Sequence, residues 1–244
     1  MRITWQIEKQ DIARVKSLLA YYKDHPMVRR RIECNLSDTK PRVSRSRFWR
    51  ALITCLLTTQ QKSGPGSAIF RFTHTRPFPL NYQACRADRH PETLIRKTIV
   101  EFGGIRRHET IAAQLTSNLR ELNGGLWSEA RRHLNTLRGR TTRKVERMAA
   151  EFFDDSFKGL GSKQSRNLLQ ILGLTRFEIP LDSRVAKWLN EAGFPVRITA
   201  SQLSNKDYYG FVMDGVIQLC RASRVYPCVF DAAVFSSFDR DPGE

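Results

Sequence analysis

The stretch "FKGLGSKQSRNLLQILGL", residues 157–174, places a Gly-x-Gly turn in front of a predicted helix. Gly159 and Gly161 permit positive φ angles and close backbone approach, and Ser162 is a candidate N-cap. The free N–H groups of the turn and of the helix N-terminus form a binding place for a phosphate oxygen. Lys163, however, lies in the first helical turn, where the helix dipole disfavours a cation by roughly 0.3–1 kcal/mol. The stretch therefore predicts two helices joined by a tight hairpin, and the lysine needs a separate explanation.

The net charge of the chain limits the classes of partner that this turn could bind. The chain has 244 residues, with 41 Lys and Arg against 24 Asp and Glu, so its formal net charge is +17. Such an excess predicts a polyanionic partner, either nucleic acid or an anionic membrane surface. No apolar run approaches the roughly 20 residues that span a bilayer, and the N-terminal residues lack the apolar segment of a signal peptide. We therefore expect an intracellular, nucleoid-associated protein that binds DNA and no membrane.

The cysteines argue against a resident cofactor. Five of them are scattered through the chain, at Cys34, Cys55, Cys85, Cys220 and Cys228, and no CxxC pair occurs. This pattern predicts neither a zinc site, nor an iron–sulfur cluster, nor a disulfide framework. We expect no cofactor, and a monovalent cation at the hairpin is the only ion that we retain as a candidate.

Apolar residues recur at helical spacing along most of the chain. One stripe contains Ile12, Val15 and Leu19, and residues 48–57 are apolar almost all round, as in a central buried helix. Convincing runs of strict alternation, the pattern of strands, are absent. We therefore predict an all-α protein, with loops at residues 60–67 and 73–92.

A second informative stretch is "FEIPLDSRVAKWLNEAGF", residues 177–194. Pro180 ends an extended link, and Asp182 stands directly before a helical stripe that begins at Val185. An N-cap role would alone explain Asp182, and a phosphate contact would alone explain Lys163. Each residue therefore has a simple structural explanation when it is considered by itself.

Taken together, these stretches resemble the helix–hairpin–helix superfamily of DNA base-excision glycosylases, and most closely its 8-oxoguanine DNA glycosylase branch. Residues 159–163, "GLGSK", match the hairpin element G-h-G-x-K, and Asp182 follows Lys163 at the family's spacing, 182 − 163 = 19 positions. Residues 56–62, "LLTTQQK", resemble a third element, in which Gln60 is the glutamine that enters the helix stack. The cysteines of the iron–sulfur branch are missing, which disfavours an enzyme for oxidised pyrimidines of that type.

The resemblance implies a two-lobed helical fold with a DNA cleft between the lobes. Residues 46–158 would form one lobe, and residues 1–45 plus 159–244 would form the other, which carries the hairpin. The partner would be double-stranded DNA containing a damaged base, and the protein would act as a monomer.

The resemblance also implies roles for individual residues. Lys163 would attack the sugar C1′ atom, with 8-oxoguanine as the favoured base, and the Schiff base would permit β-elimination. The amine must be neutral to attack, and a helix N-terminus disfavours the ammonium. Asp182 would stabilise the positive charge that develops on the sugar. The remaining assignments are DNA contacts by Gln60, Gly159, Gly161, Ser162 and Arg184, and a base-pocket role for Asn167.

Two other classes of function stay open at this stage. In a monofunctional glycosylase of the same fold, water would attack and Lys163 would bind phosphate. In a non-catalytic helix–hairpin–helix protein, Asp182 would be a simple cap. Gln60, Arg184 and Asn167 also fit ordinary solvated surface positions.

Overall fold

The computed structural model describes residues 4–61, 63, 64 and 66–238. Within these residues every regular element is a helix and no strand is formed, which confirms the all-α prediction. In chain order the helices are α1 Lys9–Tyr22, α2 Pro26–Asn35, α3 Arg45–Leu57, α4 Ala68–His74, α5 Tyr82–Ala87, α6 Pro91–Phe102, α7 His108–Glu121, α8 Trp127–Thr136, α9 Arg143–Ser156, α10 Ser162–Ile171, α11 Ser183–Glu191, α12 Lys206–Ala222 and α13 Pro227–Ser237. None of these helices is long and apolar enough to cross a bilayer.

Several helices begin where a short polar side chain satisfies a free backbone amide. Ser44 Oγ accepts a hydrogen bond from the Arg47 amide at the start of α3, at 3.2 Å. Thr142 Oγ1 accepts one from the Val145 amide at the start of α9. Such caps fix the residue at which each helix starts.

The segment 73–92 is more ordered than its sequence indicated. The prediction of a continuous loop is wrong there, because α4 continues to His74 and α5 occupies Tyr82–Ala87. Tyr82 and Cys85 are buried, and Trp49 Nε1 donates a hydrogen bond to the Leu80 carbonyl at 3.0 Å. A contact with α3, more than thirty positions earlier, therefore orders this segment, and local propensity could not reveal it. The described residues of 60–67 form no regular element, as predicted.

Two separate hydrophobic clusters form the interior. The first surrounds α3, whose residues from Phe48 to Leu57 are almost all buried, as predicted for a helix that is apolar on every side. It extends along the chain from Val43 to Leu174. The second gathers side chains of α1, α2 and α11 to α13. The division into lobes 46–158 and 1–45 plus 159–244 stays a prediction, because core clusters alone do not delimit folding units.

Candidate active site

The hairpin between α9 and α10 requires glycine at position 159. Its φ is +83°, and a Cβ atom there would lie 2.5 Å from Gln114 Oε1 and 2.6 Å from Leu56 Cδ2. Both the backbone angle and the lack of space exclude a side chain. Leu160 follows and is buried in the first cluster. The turn is therefore fixed against α3 and α7.

Asn118 on α7 fixes the hairpin through hydrogen bonds to its backbone. This fully buried side chain donates from Nδ2 to the Lys158 carbonyl at 2.9 Å, and its Oδ1 accepts from the Lys158 amide at 2.8 Å. Sequence reasoning missed this residue. The available signal was a polar residue among the buried positions of an otherwise amphipathic helix, which implies a specific partner.

The second half of the hairpin differs from its prediction in two details. Gly161 is the N-cap of α10 with an ordinary φ of −101°, so positive φ is used at Gly159 alone of the two. Ser162 is the first helical residue and not the cap, since its Oγ donates to Asp154 Oδ2 at 2.8 Å. The correction follows from the extended backbone at Gly161, which moves the helix start by one residue.

This end of α10 offers unused hydrogen-bond donors. The amides of Gly161, Ser162 and Lys163 donate to no acceptor in the described part of the chain. A Cβ atom at Gly161 would meet nothing within 4 Å, so the approach to these amides is open. Free amides at a helix N-terminus can bind an anionic oxygen.

Lys163 lies half-buried in the first turn of α10, on the wall of a cavity of about 600 Å³. It forms no hydrogen bond and no ion pair with any described residue. The cavity lies between the two hydrophobic clusters, and α2, α3, α4, α10, α11 and α13 all contribute to its wall. The unpaired amine is thus accessible from the space between the clusters.

The link from α10 to α11 is held by a buried carboxylate. Glu146 on α9 is completely buried and accepts hydrogen bonds from the amides of Arg176 at 3.0 Å, Phe177 at 2.7 Å and Glu178 at 3.1 Å. Burial raises the pKa of the Glu146 carboxyl, although these hydrogen bonds act in the opposite direction. Glu146 therefore shapes the backbone that leads to Asp182, a role that sequence reasoning missed.

Asp182 is the N-cap of α11, as its position in the sequence predicted. Its Oδ1 accepts from the amides of Arg184 at 2.9 Å and Val185 at 3.0 Å. Its Oδ2 accepts no hydrogen bond from any described residue, and the half-buried side chain lines the same cavity as Lys163. One carboxylate can therefore cap the helix and still offer an oxygen to a ligand.

Comparison with known proteins finds similarity among solved structures. No family model matches the chain, and no curated protein matches it either. Among solved structures, the 8-oxoguanine DNA glycosylase of Thermotoga maritima is 18% identical, with a TM-score of 0.67 over 93% of this chain and 95% of that one. An 8-oxoguanine glycosylase/lyase of Methanocaldococcus jannaschii, in complex with a 15-mer DNA containing 8-oxoguanine, is 14% identical, with a TM-score of 0.70 over 93% and 97%. Likeness at this identity and coverage concerns the fold.

This chain has the 8-oxoguanine DNA glycosylase fold. A further structure, the 8-oxoguanine DNA glycosylase of M. jannaschii, agrees, with 15% identity and a TM-score of 0.65 over 93% of each chain. The helical fold that the resemblance implied is confirmed.

Three further residues predicted for the site also line the cavity of the glycosylase fold. Gln60 is exposed just beyond α3, with φ of +57°, and its carbonyl accepts from Arg106 Nη2 at 2.7 Å. Arg184 packs its guanidinium 3.7 Å from the centre of the Phe235 ring. Asn167 donates from Nδ2 to Gln164 Oε1 at 3.1 Å. Gly159, Gly161 and Ser162 lie outside the cavity wall, at the hairpin.

Asp231 on α13 is a wall residue of the glycosylase fold that sequence reasoning missed. Its Oδ2 accepts from Gln170 Nε2 at 3.0 Å and lies 3.8 Å from Arg31 Nη2, while no described residue donates to Oδ1. Burial raises the pKa of Asp231 to about 7, and the Asp182 carboxylate adds to this effect, whereas Arg31, Gln170 and Lys163 oppose it. The available signal was a single acid within the apolar run "PCVFDAAVF", residues 227–235.

The described residues contain no cluster of three or more His, Cys, Asp or Glu side chains that could hold a metal ion. The monovalent cation at the hairpin stays a prediction.

Proposed function

We propose that this protein is a bifunctional base-excision repair enzyme, a DNA glycosylase with AP lyase activity, that removes an oxidised base from double-stranded DNA. The observation that carries the proposal is the pairing of Lys163 and Asp182 on one cavity wall. An amine without an ion pair and a carboxylate with an unused oxygen face the same space. Those are the two groups that excision by an amine nucleophile requires.

The reaction begins with extrusion of the damaged nucleotide, because its glycosidic bond is inaccessible inside the duplex. The cavity between the two clusters receives the base, and exposed Gln60 at its rim fills the gap in the helix stack. Residues of the hairpin bind the phosphate backbone through the free amides of α10, and Arg184 adds a positive charge.

The chemical step forms a bond between Lys163 Nζ and the sugar C1′ atom as the bond from C1′ to the base breaks. The base leaves with the electron pair and takes up a proton. The free oxygen of Asp182 stabilises the positive charge on the sugar during this exchange. The nitrogen lone pair then forms the C=N bond of a protonated Schiff base as the C1′–O4′ bond breaks, and O4′ takes up a proton. Loss of a C2′ proton next expels the 3′ phosphate with the electrons of the C3′–O bond, and the strand is nicked.

Two observations favour 8-oxoguanine among oxidised bases. The matched structures of this fold are described as 8-oxoguanine glycosylases. In addition, the unused Oδ1 of Asp231 is an acceptor on the cavity wall. Guanine presents two donors, N1–H and N2–H, on its Watson–Crick edge, and the ionised form of Asp231, which is populated from about pH 7 upward, can accept from them through Oδ1. A single protein molecule and one damaged duplex make up the proposed complex, which we place inside the cell at the nucleoid.

The decisive experiment is borohydride trapping on a duplex that contains 8-oxoguanine. Wild-type protein should form a covalent protein–DNA adduct, and Lys163→Gln should abolish both the adduct and base release. Lys158→Gln is the matched control, since its exposed side chain lies on the same hairpin and forms no side-chain contact in the described structure. The control should trap as well as wild type.

The alternative classes give different results in the same assay. A monofunctional glycosylase would release the base without a trapped adduct, and a non-catalytic DNA-binding protein would do neither. Full excision and strand nicking by Lys163→Gln would remove Lys163 from the mechanism and would make it a phosphate contact.

A further inference from the structure

Five arginines surround a concave surface that the proposed excision reaction does not use. Two adjoining depressions share Arg131 and Asn135, and no acidic side chain lines either of them. We call their basic residues the distal arginine surface: Arg42, Arg45, Arg131, Arg132 and Arg138.

The distal arginine surface lies at the opposite end of α3 from the candidate active site. Arg45 occupies the first turn of α3, whereas Thr58 and Gln60, just beyond its last residue, line the catalytic cavity. A helix of 13 residues is about 20 Å long. The two surfaces are therefore separated by roughly that length, and none of the five arginines lines the catalytic cavity.

The arginines of this surface are not neutralised by the protein. None of the five forms an ion pair with a described residue, although Arg143 and Arg147 nearby in the sequence both pair with Asp214. Two are anchored by neutral groups: Arg45 Nη1 donates to Tyr82 Oη at 3.1 Å, and Arg138 Nε donates to the Lys40 carbonyl at 3.1 Å. Like charges held close together without counter-charges repel one another, which favours a polyanionic ligand.

The composition of the surface favours duplex phosphates over other polyanions. Basic surfaces that bind membranes combine their charge with exposed apolar side chains, and none of the exposed large hydrophobic residues lines these depressions. Single-stranded RNA is bound by stacking on open aromatic faces, but Trp127 is only 9% exposed and Arg45 lies over its ring at 5.5 Å. Guanidinium groups match phosphate oxygens in a bidentate geometry.

We propose that the distal arginine surface binds the phosphate backbone of a second DNA duplex while the cleft holds the first. One protein molecule would then bridge two duplex segments and could pass from one to the other without release. This inference rests on DNA binding in the cleft, as under the proposed function, but it does not require base excision.

The test uses two triple variants of the full chain with equal loss of charge. The first is Arg42→Gln, Arg131→Gln and Arg132→Gln, three exposed residues without hydrogen bonds in the described structure. The control is Lys9→Gln, Lys16→Gln and Arg197→Gln, which are also exposed and unpaired but lie on or next to α1 and α11. Each protein is incubated at low salt with an undamaged duplex on beads and a second, fluorescent duplex in solution.

Wild type and the control variant should retain the fluorescent duplex, and the distal variant should retain at least tenfold less. The salt slope of second-duplex binding should fall by about 2–3 in the distal variant, because each phosphate contact contributes about 0.9. A triple Arg→Lys version of the distal variant should restore most bridging and so excludes misfolding as the cause.

Other outcomes would overturn the proposal. Equal losses in both Gln variants would mean that net charge alone governs bridging. Selective loss of binding to single-stranded RNA, or to phosphatidylserine vesicles, with duplex bridging intact would assign the surface to that ligand instead. Excision of 8-oxoguanine from a short duplex is measured in parallel: normal excision without bridging refutes this inference alone, and bridging without excision refutes the proposed chemistry alone.

Discussion

Two cations on the same helix have opposite surroundings. Arg166, on α10, is 4% exposed, donates to Glu178 Oε2 at 2.6 Å and to the Ser162 carbonyl at 2.9 Å, and lies over the Tyr209 ring at 4.6 Å. Lys163, one turn earlier, is half-buried and forms none of these contacts. The fold therefore supplies partners for the cation that it uses structurally. It supplies no hydrogen bond or ion pair from a described residue to Lys163, which is the arrangement that the proposed nucleophile requires.

The acids show the same difference. Glu178 is completely buried, and its second oxygen lies 3.5 Å from Arg147 Nε and 3.8 Å from Arg143 Nε. Asp182 and Asp231 each keep one oxygen without a hydrogen bond from any described residue, on the cavity wall. Substitutions in the two groups should therefore separate stability from activity.

The largest effect on stability should follow loss of Glu178. Glu178→Ala would leave the buried Arg166 guanidinium without its carboxylate, which typically costs about 3–5 kcal/mol. Lys163→Ala should change the free energy of unfolding by less than about 0.5 kcal/mol, since no hydrogen bond or ion pair with a described residue is lost. Urea denaturation of both variants provides the measurement. Similar costs at the two positions would contradict the distinction between a structural and an unpaired cation.

Asp182→Asn should give the largest effect on activity without a matching effect on stability. Asparagine caps helices about as well as aspartate, so the α11 cap should persist. The lost negative charge should slow base release by about two to three orders of magnitude, the range seen when one stabilising group is removed from a transition state. Single-turnover excision together with thermal unfolding tests this. A variant that excises at the wild-type rate would reduce Asp182 to a cap.

The sequence predicted the structural features that are set locally. The hairpin, Lys163 and Asp182 were recognisable because a turn, a charge in the wrong place and a cap are all set within a few positions. Ser162 was misassigned as the cap because its hydroxyl bonds Asp154, eight positions away, which local capping rules do not include. The same limit explains why the sequence did not predict α5, which depends on contact with α3.

The residues that position the site were missed for a similar reason. Asn118 is 40 positions from Lys158, and Glu146 is 30 positions from Arg176, whose backbones they hold. Neither distance can be derived from periodicity, which identifies only the face of a helix. A buried polar residue in an apolar stripe signals that a partner exists without saying which one it is.

Substitutions of the two hairpin glycines should also separate stability from DNA binding. Gly159→Ala places a Cβ atom against Gln114 and Leu56 at a positive φ, which should cost about 2–4 kcal/mol of stability. Gly161→Ala meets open space at an ordinary φ and should cost less than about 1 kcal/mol. It should nevertheless weaken duplex binding, because the methyl group obstructs the free amides. Chemical denaturation and fluorescence anisotropy distinguish these effects, and equal destabilisation by both changes would refute the account of the turn.

The smallest expected effect is a change in how stability depends on pH. The pKa of Asp231 is about 7 in the folded protein, against about 3.9 for an aspartate in an unfolded chain. Between these values the folded state keeps a proton that the unfolded state has released. The stabilisation from this proton is therefore complete below about pH 4 and is lost as the pH rises through 7. Asp231→Asn cannot titrate, so it removes this component.

The variant should accordingly gain stability relative to wild type between pH 5 and pH 8. The total gain over this range should be about 1–2 kcal/mol. A single proton permits at most about 1.4 kcal/mol for each pH unit between the unfolded and folded pKa values. Thermal unfolding of both proteins across this range measures it, and the histidines cancel in the difference because they are common to both. A flat difference would mean that the opposing effects of Arg31 and Lys163 already keep Asp231 ionised at pH 5. In that event Asp231 would belong with Glu178 among the paired, structural acids.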